Sequence, residues 1–177
     1  LGKDAFALTN LDDKHGMVML QNTVAHIYTY SCKRMADFNC KTLERHLDGT
    51  LLMLDGCEVW TKFVGDFNAY NLLAVYASAT LLGFGKEELL PVMSLLVPVS
   101  GRFETILSNE GVMAIVDYAH TPDALTNVLN GIDEVLNGRG RIITVVGAGG
   151  NRDKGKRPLM AKEAAKLSDH VNLTSDN

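Results

Sequence analysis

The sequence concentrates basic residues in one glycine-rich segment, GAGGNRDKGKR, from Gly147 to Arg157. Its glycines allow the backbone to approach a ligand closely, and Asp153 is the single acidic residue among the basic ones. The basic residues are Arg152, Lys154, Lys156 and Arg157. Such side chains bind carboxylates and phosphates through charge-assisted hydrogen bonds, so the segment predicts an anion or carboxylate site. A solvated basic loop is the alternative interpretation.

The segment departs from two phosphate-binding patterns. The GxxxxGK[ST] pattern of a Walker loop is absent, and Arg152 takes the place of the third glycine in the dinucleotide fingerprint GxGxxG. A dinucleotide-binding oxidoreductase is still an alternative class, because Asp176 ends the next predicted strand, where a ribose-binding acid would lie. A second alternative is a non-catalytic interaction module, such as a regulatory domain that retained the fold of an enzyme after losing its active site.

Polar residues also follow two other predicted strands. Asp117 follows the apolar run 112–116, and Asp176 and Asn177 end the run that begins at Val171. Ligands of open α/β sheets bind at the carboxyl ends of the strands, so these positions are candidates for a binding site. Asp117 would accept hydrogen bonds from a ribose, or it would only order the turn.

Four more residues have both a functional and a structural interpretation. His120 would act as a base or as a hydrogen-bond donor to a phosphate, or it would have a structural role beside a helix N-terminus. Asn68 and Asn71 open a predicted helix, where either would cap it, while their amides would also match the donor and acceptor edges of a purine. Arg102, in the segment SGRFE, would bridge to a phosphate or pair with a surface acid.

The elements that must hold these residues alternate regularly in the second half of the chain. Apolar runs predict strands over 112–116, 141–146 and 171–175. One helix is predicted from Pro122 to Gly138 with Thr121 as its N-cap, and a second over 158–167. This order predicts an α/β fold with a parallel, doubly wound sheet, of which these elements form only the first half.

The first half is less regular. Strands are predicted over 5–9 and around the apolar run 17–20, followed by a hairpin of 50–54 and 58–64 around Asp55-Gly56. Apolar residues at helical spacing predict helices over 68–82 and 86–96. Pro98, Ser100 and Gly101 break the pattern, so the predicted domains are 1–99 and 100–177.

Composition narrows the class of protein. Among 177 residues, 46% are hydrophobic and 21% charged, which is typical of a packed globular protein. A net charge of -4 argues against general attraction to nucleic acid, and no apolar run is long enough to span a bilayer. Cys32, Cys40 and Cys57 lack metal-ligand spacing, which indicates reduced thiols in a cytoplasmic protein. Because the chain does not begin with Met, we expect a piece of a longer protein.

Five segments occur in the order and approximate spacing found in one enzyme family: GDFNAYNLLAVYASATLLG, SGRFE, VDYAHTPDALTNVL, GAGGNRDKGKRPLMAKEA and LTSDN. Over residues 65 to 177 the chain resembles the Mur ligases, in particular the branch that adds the third amino acid of the peptidoglycan stem peptide. The resemblance implies the C-terminal part of the family's central ATPase domain, followed by the first half of a Rossmann-like C-terminal ligase domain.

The resemblance also implies an activity. It is an ATP-dependent amide-bond ligase that adds meso-diaminopimelate or L-lysine to UDP-MurNAc-L-Ala-D-Glu through an acyl phosphate, with ATP and Mg²⁺ as cofactors. The implied enzyme is a cytoplasmic monomer with small-molecule partners, without nucleic acid or membrane insertion. The family's glycine-rich phosphate loop, carbamylated-lysine segment and uridine-nucleotide domain are not among these residues, so we expect the chain alone to be inactive.

Site residues follow from the same resemblance, position by position. Six match family positions that contact ATP: Asn68, Asn71, Arg102, Asp117, His120 and Thr121. Three match positions that hold the incoming amino acid: Arg152, Asp176 and Asn177. No catalytic residue and no metal ligand is assigned. A Pro-Arg after Asn177 would indicate diaminopimelate and a Pro-Ala lysine, so the sequence leaves the third amino acid open.

Overall fold

Buried apolar side chains form two separate cores, one in each half of the chain. The computed structural model describes residues 2–149 and 153–175. The chain divides into two units, residues 1–97 and 98–177. In the described part of the chain, no helix has both the length and the apolar character needed to cross a membrane.

The first unit is built on a five-stranded sheet. Its strands are β1 (Phe6–Asn10), β2 (His26–Ser31), β3 (Phe38–His46), β4 (Gly49–Leu54) and β5 (Cys57–Thr61), and they lie in this order across the sheet. β1, β2 and β3 run parallel, whereas β3, β4 and β5 form an antiparallel meander. The carboxyl ends of β1 and β2 therefore lie at the same edge of the sheet.

The turn between β4 and β5 confirms the predicted hairpin. Asp55 and Gly56 have φ values of 47° and 81°, and Leu54 pairs with Cys57 across the turn. A two-residue hairpin turn with positive φ at both central positions matches the twist of the strands, and Asp-Gly is among the pairs that tolerate this backbone.

The described part of the first unit also contains three helices. They are α1 (Gly16–Met19), α2 (Asp66–Leu81) and α3 (Lys86–Leu95), and the last two confirm the helices predicted over 68–82 and 86–96. Leu73 and Tyr76 of α2 are 0% and 1% exposed, and they share a core with Leu52 and Leu54 of β4. This packing fixes α2 against the sheet, and Cys40 lies in the same core.

The strand predicted around 17–20 is wrong, because these residues form the short helix α1. Met17 and Met19 are 47% and 79% exposed, so the apolar run has no sheet face to cover. The preceding polar turn starts the helix instead: the amide of His15 donates to Oδ1 of Asp13 at 2.7 Å, and the amide of Gly16 donates to the Asp13 carbonyl at 3.0 Å.

β2 and β3 were not predicted from the sequence. Neither has the regular alternation of a half-buried strand: β2 buries only Ser31, and β3 buries only Phe38 and Cys40. Their pairing with β1 and β4 decides their conformation, and this pairing depends on residues distant in sequence.

The second unit contains a hairpin and a βαβ segment. Its strands are β6 (Glu104–Leu107), β7 (Met113–Val116), β8 (Ile143–Gly147) and β9 (His170–Thr174), and its helices are α4 (Pro122–Leu136) and α5 (Lys156–Leu167). β8 and β9 are parallel and joined by α5, as predicted. α4 also confirms its prediction, since Thr121 is its N-cap and Asn137 ends it in the left-handed conformation with φ 46°.

The predicted three-stranded parallel sheet needs correction. Among the described residues β7 pairs antiparallel with β6, while β8 and β9 form a separate parallel pair. β7 is also only partly buried, although it was predicted as a buried strand. The missed signal is the turn at Ser108, whose Oγ accepts the amide of Val112 at 3.0 Å and whose own amide donates to the Val112 carbonyl.

Candidate functional site

Asn68 and Asn71 form one hydrogen-bonded pair in the first turns of α2. Asn68 is 8% exposed, and its Nδ2 donates to the carbonyl of Val64 at 2.8 Å. Nδ2 of the exposed Asn71 donates to Oδ1 of Asn68 at 3.3 Å. Among the described residues no side chain caps α2, so neither asparagine has the capping role that the sequence allowed. The buried asparagine instead orients the exposed one.

The first turn of α2 is tied to β3 by an ion pair. Nη2 of Arg45 lies 2.8 Å from each carboxylate oxygen of Asp66, and Oγ1 of Thr42 donates to Oδ1 at 3.2 Å. Asp66 also stands at the helix N-terminus, where a negative charge is favourable. The contact helps to fix the position of the asparagine pair.

A second group of predicted residues lies where β7 meets α4. Oδ2 of Asp117 accepts the amide of Phe103 at 2.8 Å, and Phe103 is buried with a positive φ of 47°. Asp117 therefore orders the turn that contains Arg102, which was one of its two predicted roles. The guanidinium of Arg102 lies 4.9 Å from the ring centroid of Tyr118, which is a cation–π distance.

Tyr118 is a residue that the sequence reasoning missed. Its side chain is 65% exposed, and its ring centroid lies 5.4 Å from that of His120. Nδ1 of His120 is 3.2 Å from the Tyr118 carbonyl. The sequence did contain a signal for it, because this aromatic residue lies between the polar candidates Asp117 and His120. The structure thus brings Arg102, Asp117 and His120 together around Tyr118.

Thr121 connects this group to α4, because its Oγ1 accepts the amide of Ala124 at 3.2 Å. We expect Thr121→Ala to lower the free energy of unfolding by about 1 kcal/mol, since it removes an N-cap. Urea unfolding of the chain would measure this loss. Thr126→Ala is the matched control, because its Oγ1 only donates to the Pro122 carbonyl inside the helix. An equal loss in both variants would contradict the capping role.

The carboxyl ends of β8 and β9 border a cavity of about 240 Å³. Its walls come from both strands and from α5: Val146, Gly147, Ala148, Arg157, Met160, Ala161, Leu173, Thr174 and Ser175. One guanidinium and two hydroxyl side chains therefore border a partly apolar space. Arg152, Asp176 and Asn177, predicted to bind an amino acid, lie outside the described residues.

Asp153 has a structural role at the start of α5. Its Oδ1 accepts the amides of Gly155 and Lys156 at 3.0 and 3.2 Å. It therefore orders the backbone at the start of α5. Within residues 2–149 and 153–175, no group of three or more His, Cys, Asp or Glu side chains is placed to hold a metal ion.

Both units match protein families. Residues 1–79 match the Mur ligase middle domain, and residues 101–177 match the glutamate ligase domain of the Mur ligases. The two matches adjoin along the chain, and both are to domains of one ligase family. The chain belongs to the Mur ligase family, which confirms the predicted resemblance and the α/β fold class and gives no support to an oxidoreductase.

Within this family the chain is similar to enzymes of one named activity. It is 71% identical over 172 residues to the UDP-N-acetylmuramoyl-L-alanyl-D-glutamate–2,6-diaminopimelate ligase of Parabacteroides distasonis, covering 97% of this chain and 35% of the relative. The ligase of the same name from Phocaeicola vulgatus is 63% identical, over 100% of this chain and 37% of the relative. The chain thus spans little more than a third of these relatives.

Solved structures agree with this assignment. A diaminopimelate ligase structure superposes with a TM-score of 0.61 at 34% identity, covering 98% of this chain and 37% of the other. The structure of MurF from Acinetobacter baumannii superposes with a TM-score of 0.74 over 95% of this chain and 42% of the other. At 17% identity this second likeness shows the fold alone.

Proposed function

We propose that this chain forms part of an ATP-dependent ligase that joins diaminopimelate to UDP-MurNAc-L-Ala-D-Glu in peptidoglycan synthesis, in the cytoplasm. The observation that carries the proposal is the 71% identity over 97% of the chain to a ligase of that name. The choice of diaminopimelate over lysine rests on the names of the relatives, because the residues that follow Asn177 in the motif are not in the sequence.

The reaction needs activation of a carboxylate. A carboxylate is a poor electrophile, so transfer of the γ-phosphate of ATP to the D-Glu carboxylate provides a leaving group, and ADP is released. The amine of diaminopimelate then attacks the acyl carbon, the amide bond forms, and inorganic phosphate and a proton leave. Bound Mg²⁺ would neutralise charge on the phosphates. The described residues offer no metal cluster, so we assign none of them to Mg²⁺.

We propose that the cavity at β8 and β9 receives the amino acid. Diaminopimelate carries two carboxylates, and a guanidinium with hydroxyl groups is suited to bind a carboxylate. Arg157, Thr174 and Ser175 border the cavity. The resemblance adds Arg152, Asp176 and Asn177, which flank the same two strand ends in sequence.

We propose that the nucleotide is bound by residues that match ATP-contacting positions of the family. The exposed amide of Asn71 has the donor and the acceptor that the edge of adenine requires, and Asn68 orients it. In the second unit Asp117 would accept from ribose hydroxyls, and Arg102 would pair with phosphate. His120 and Thr121 stand at the N-terminus of α4, whose backbone dipole favours an anion.

The test is to measure ADP release and tripeptide formation by the full-length protein with all three substrates and with each one left out. ADP release should require both UDP-MurNAc-L-Ala-D-Glu and diaminopimelate, and ADP should appear in equal amount to the tripeptide product. Replacing diaminopimelate with lysine should remove most of the turnover. ADP release without tripeptide formation, or equal use of lysine, would contradict the proposed activity or the proposed specificity respectively.

A further inference from the structure

Asp12 is a buried carboxylate near the carboxyl end of β1 that the proposed reaction does not use. Its side chain is 5% exposed. Oγ of Ser31 lies 2.9 and 2.8 Å from its two oxygens, and the amide of Cys32 donates to Oδ2 at 2.9 Å. Oγ of Ser31 itself accepts the amides of Lys33 and Arg34, so its hydrogen is directed to Asp12. The carboxylate thereby joins the ends of β1 and β2.

A tyrosine of α2 reaches the same carboxylate. The hydroxyl of Tyr70 donates to Oδ2 of Asp12 at 2.9 Å, and Nε of Arg34 donates to Oδ1 at 3.1 Å. Burial acts to raise the pKa of Asp12, but hydrogen bonds from Ser31, Tyr70, Cys32 and Arg34 lower it below its ordinary value. Burial and the hydrogen bond to Asp12 raise the pKa of Tyr70, so the tyrosine keeps its proton and donates.

Tyr70 lies directly before Asn71 in α2, and α2 packs against β1, β2 and β3. Polar contacts of Asp66 and Tyr70 hold the first turns of this helix to the sheet. Asp66 ties them to β3 through Arg45, and Tyr70 ties them to the ends of β1 and β2 through Asp12. Loss of the Tyr70 contact would therefore weaken the hold on the helix turn that carries the exposed asparagine.

We propose that Asp12 and Tyr70 are positioning residues, whose hydrogen bond sets the place of Asn71 for binding of the nucleotide base. The inference rests on the proposed function, in which Asn71 contacts adenine. Neither residue touches the reacting atoms. A purely structural role for the pair would change stability and leave the KM for ATP unaltered, so kinetics separate the two roles.

Tyr70→Phe in the full-length ligase is the test, because it removes the hydroxyl and keeps the ring. The KM for ATP should rise about fivefold, while kcat and the KM for diaminopimelate stay within about twofold. Tyr76→Phe is the matched control: Tyr76 also lies in α2, and its hydroxyl is 3.4 Å from Oδ2 of Asp55. An unchanged KM for ATP in Tyr70→Phe, or an equal rise in both variants, would overturn the proposal.

Asn71→Ala separates this inference from the proposed function. The KM for ATP should rise in Asn71→Ala, and adding Tyr70→Phe to that variant should raise it no further, because the two act through one contact. An additive second rise would overturn the positioning role while leaving the nucleotide assignment intact. An unchanged KM for ATP in Asn71→Ala alone would overturn the assignment of Asn71 and the inference with it.

Discussion

Arg152→Ala in the full-length ligase should raise the KM for diaminopimelate about 100-fold, with the KM for ATP unchanged. The resemblance places Arg152 where the incoming amino acid is held, in a basic segment that follows β8. A charge-assisted hydrogen bond between a guanidinium and a carboxylate contributes about 3 kcal/mol, and its loss corresponds to this change. Steady-state kinetics with diaminopimelate as the varied substrate would measure it.

Lys154→Ala provides the control for this substitution. It removes one positive charge from the same segment, at a residue that is exposed. Its KM for diaminopimelate should stay within about twofold of the parent value, because an exposed charge contributes little to binding. Equal effects of the two substitutions would mean that the segment attracts the substrate only by its net charge, and an unchanged KM in Arg152→Ala would remove that residue from the site.

Asp12→Ala should lower the free energy of unfolding by about 3 kcal/mol, because it leaves the buried Ser31 hydroxyl and the neighbouring donors without their acceptor. The donors include the hydroxyls of Ser31 and Tyr70. Urea unfolding of the chain would measure the change. Asp4→Ala is the control, since Asp4 is exposed and precedes the same strand. It should change stability by less than about 0.5 kcal/mol, and a similar loss in both variants would contradict the account of Asp12.

The contribution of Asp12 should depend on pH in a defined direction. Its folded-state pKa lies below the ordinary value of 3.8, so the folded state favours the charged carboxylate. The stability that it provides is present above 3.8 and is lost as the pH falls through the folded-state pKa. The stability difference between the parent and Asp12→Asn should therefore be constant at neutral pH and shrink below pH 3.8. A difference that grows on acidification would contradict this.

Local signals made some elements predictable. α4 has Thr121 as N-cap, Pro122 at its first turn and a left-handed residue at its end, and each of these features depends only on neighbouring residues. The Asp55-Gly56 hairpin also depends only on residues near in sequence, because its turn sets the pairing of the two strands. Such elements can be predicted from sequence, since local propensity and tertiary structure agree.

The hydrogen-bond group around Asp12 could not be predicted in the same way. Tyr70 is 58 residues from Asp12 and Ser31 is 19 residues away, so their meeting depends on the parallel pairing of β1 and β2 and on the docking of α2. The carboxylate carries no local pattern that separates it from the neighbouring Asp13. The contact between Asn68 and Asn71 is different, because it joins residues three apart in one helix, a spacing at which helical side chains are neighbours.

Exchange of the matched region between two proteins tests whether these residues supply part of a diaminopimelate ligase. The matched region of the Parabacteroides distasonis ligase, 71% identical over 172 residues, would be replaced by this chain. Mass spectrometry would detect tripeptide made from ATP, UDP-MurNAc-L-Ala-D-Glu and either diaminopimelate or lysine. We expect ADP release and a product that contains diaminopimelate. A folded chimera that forms tripeptide with neither amino acid, beside an active parent enzyme, would contradict this expectation.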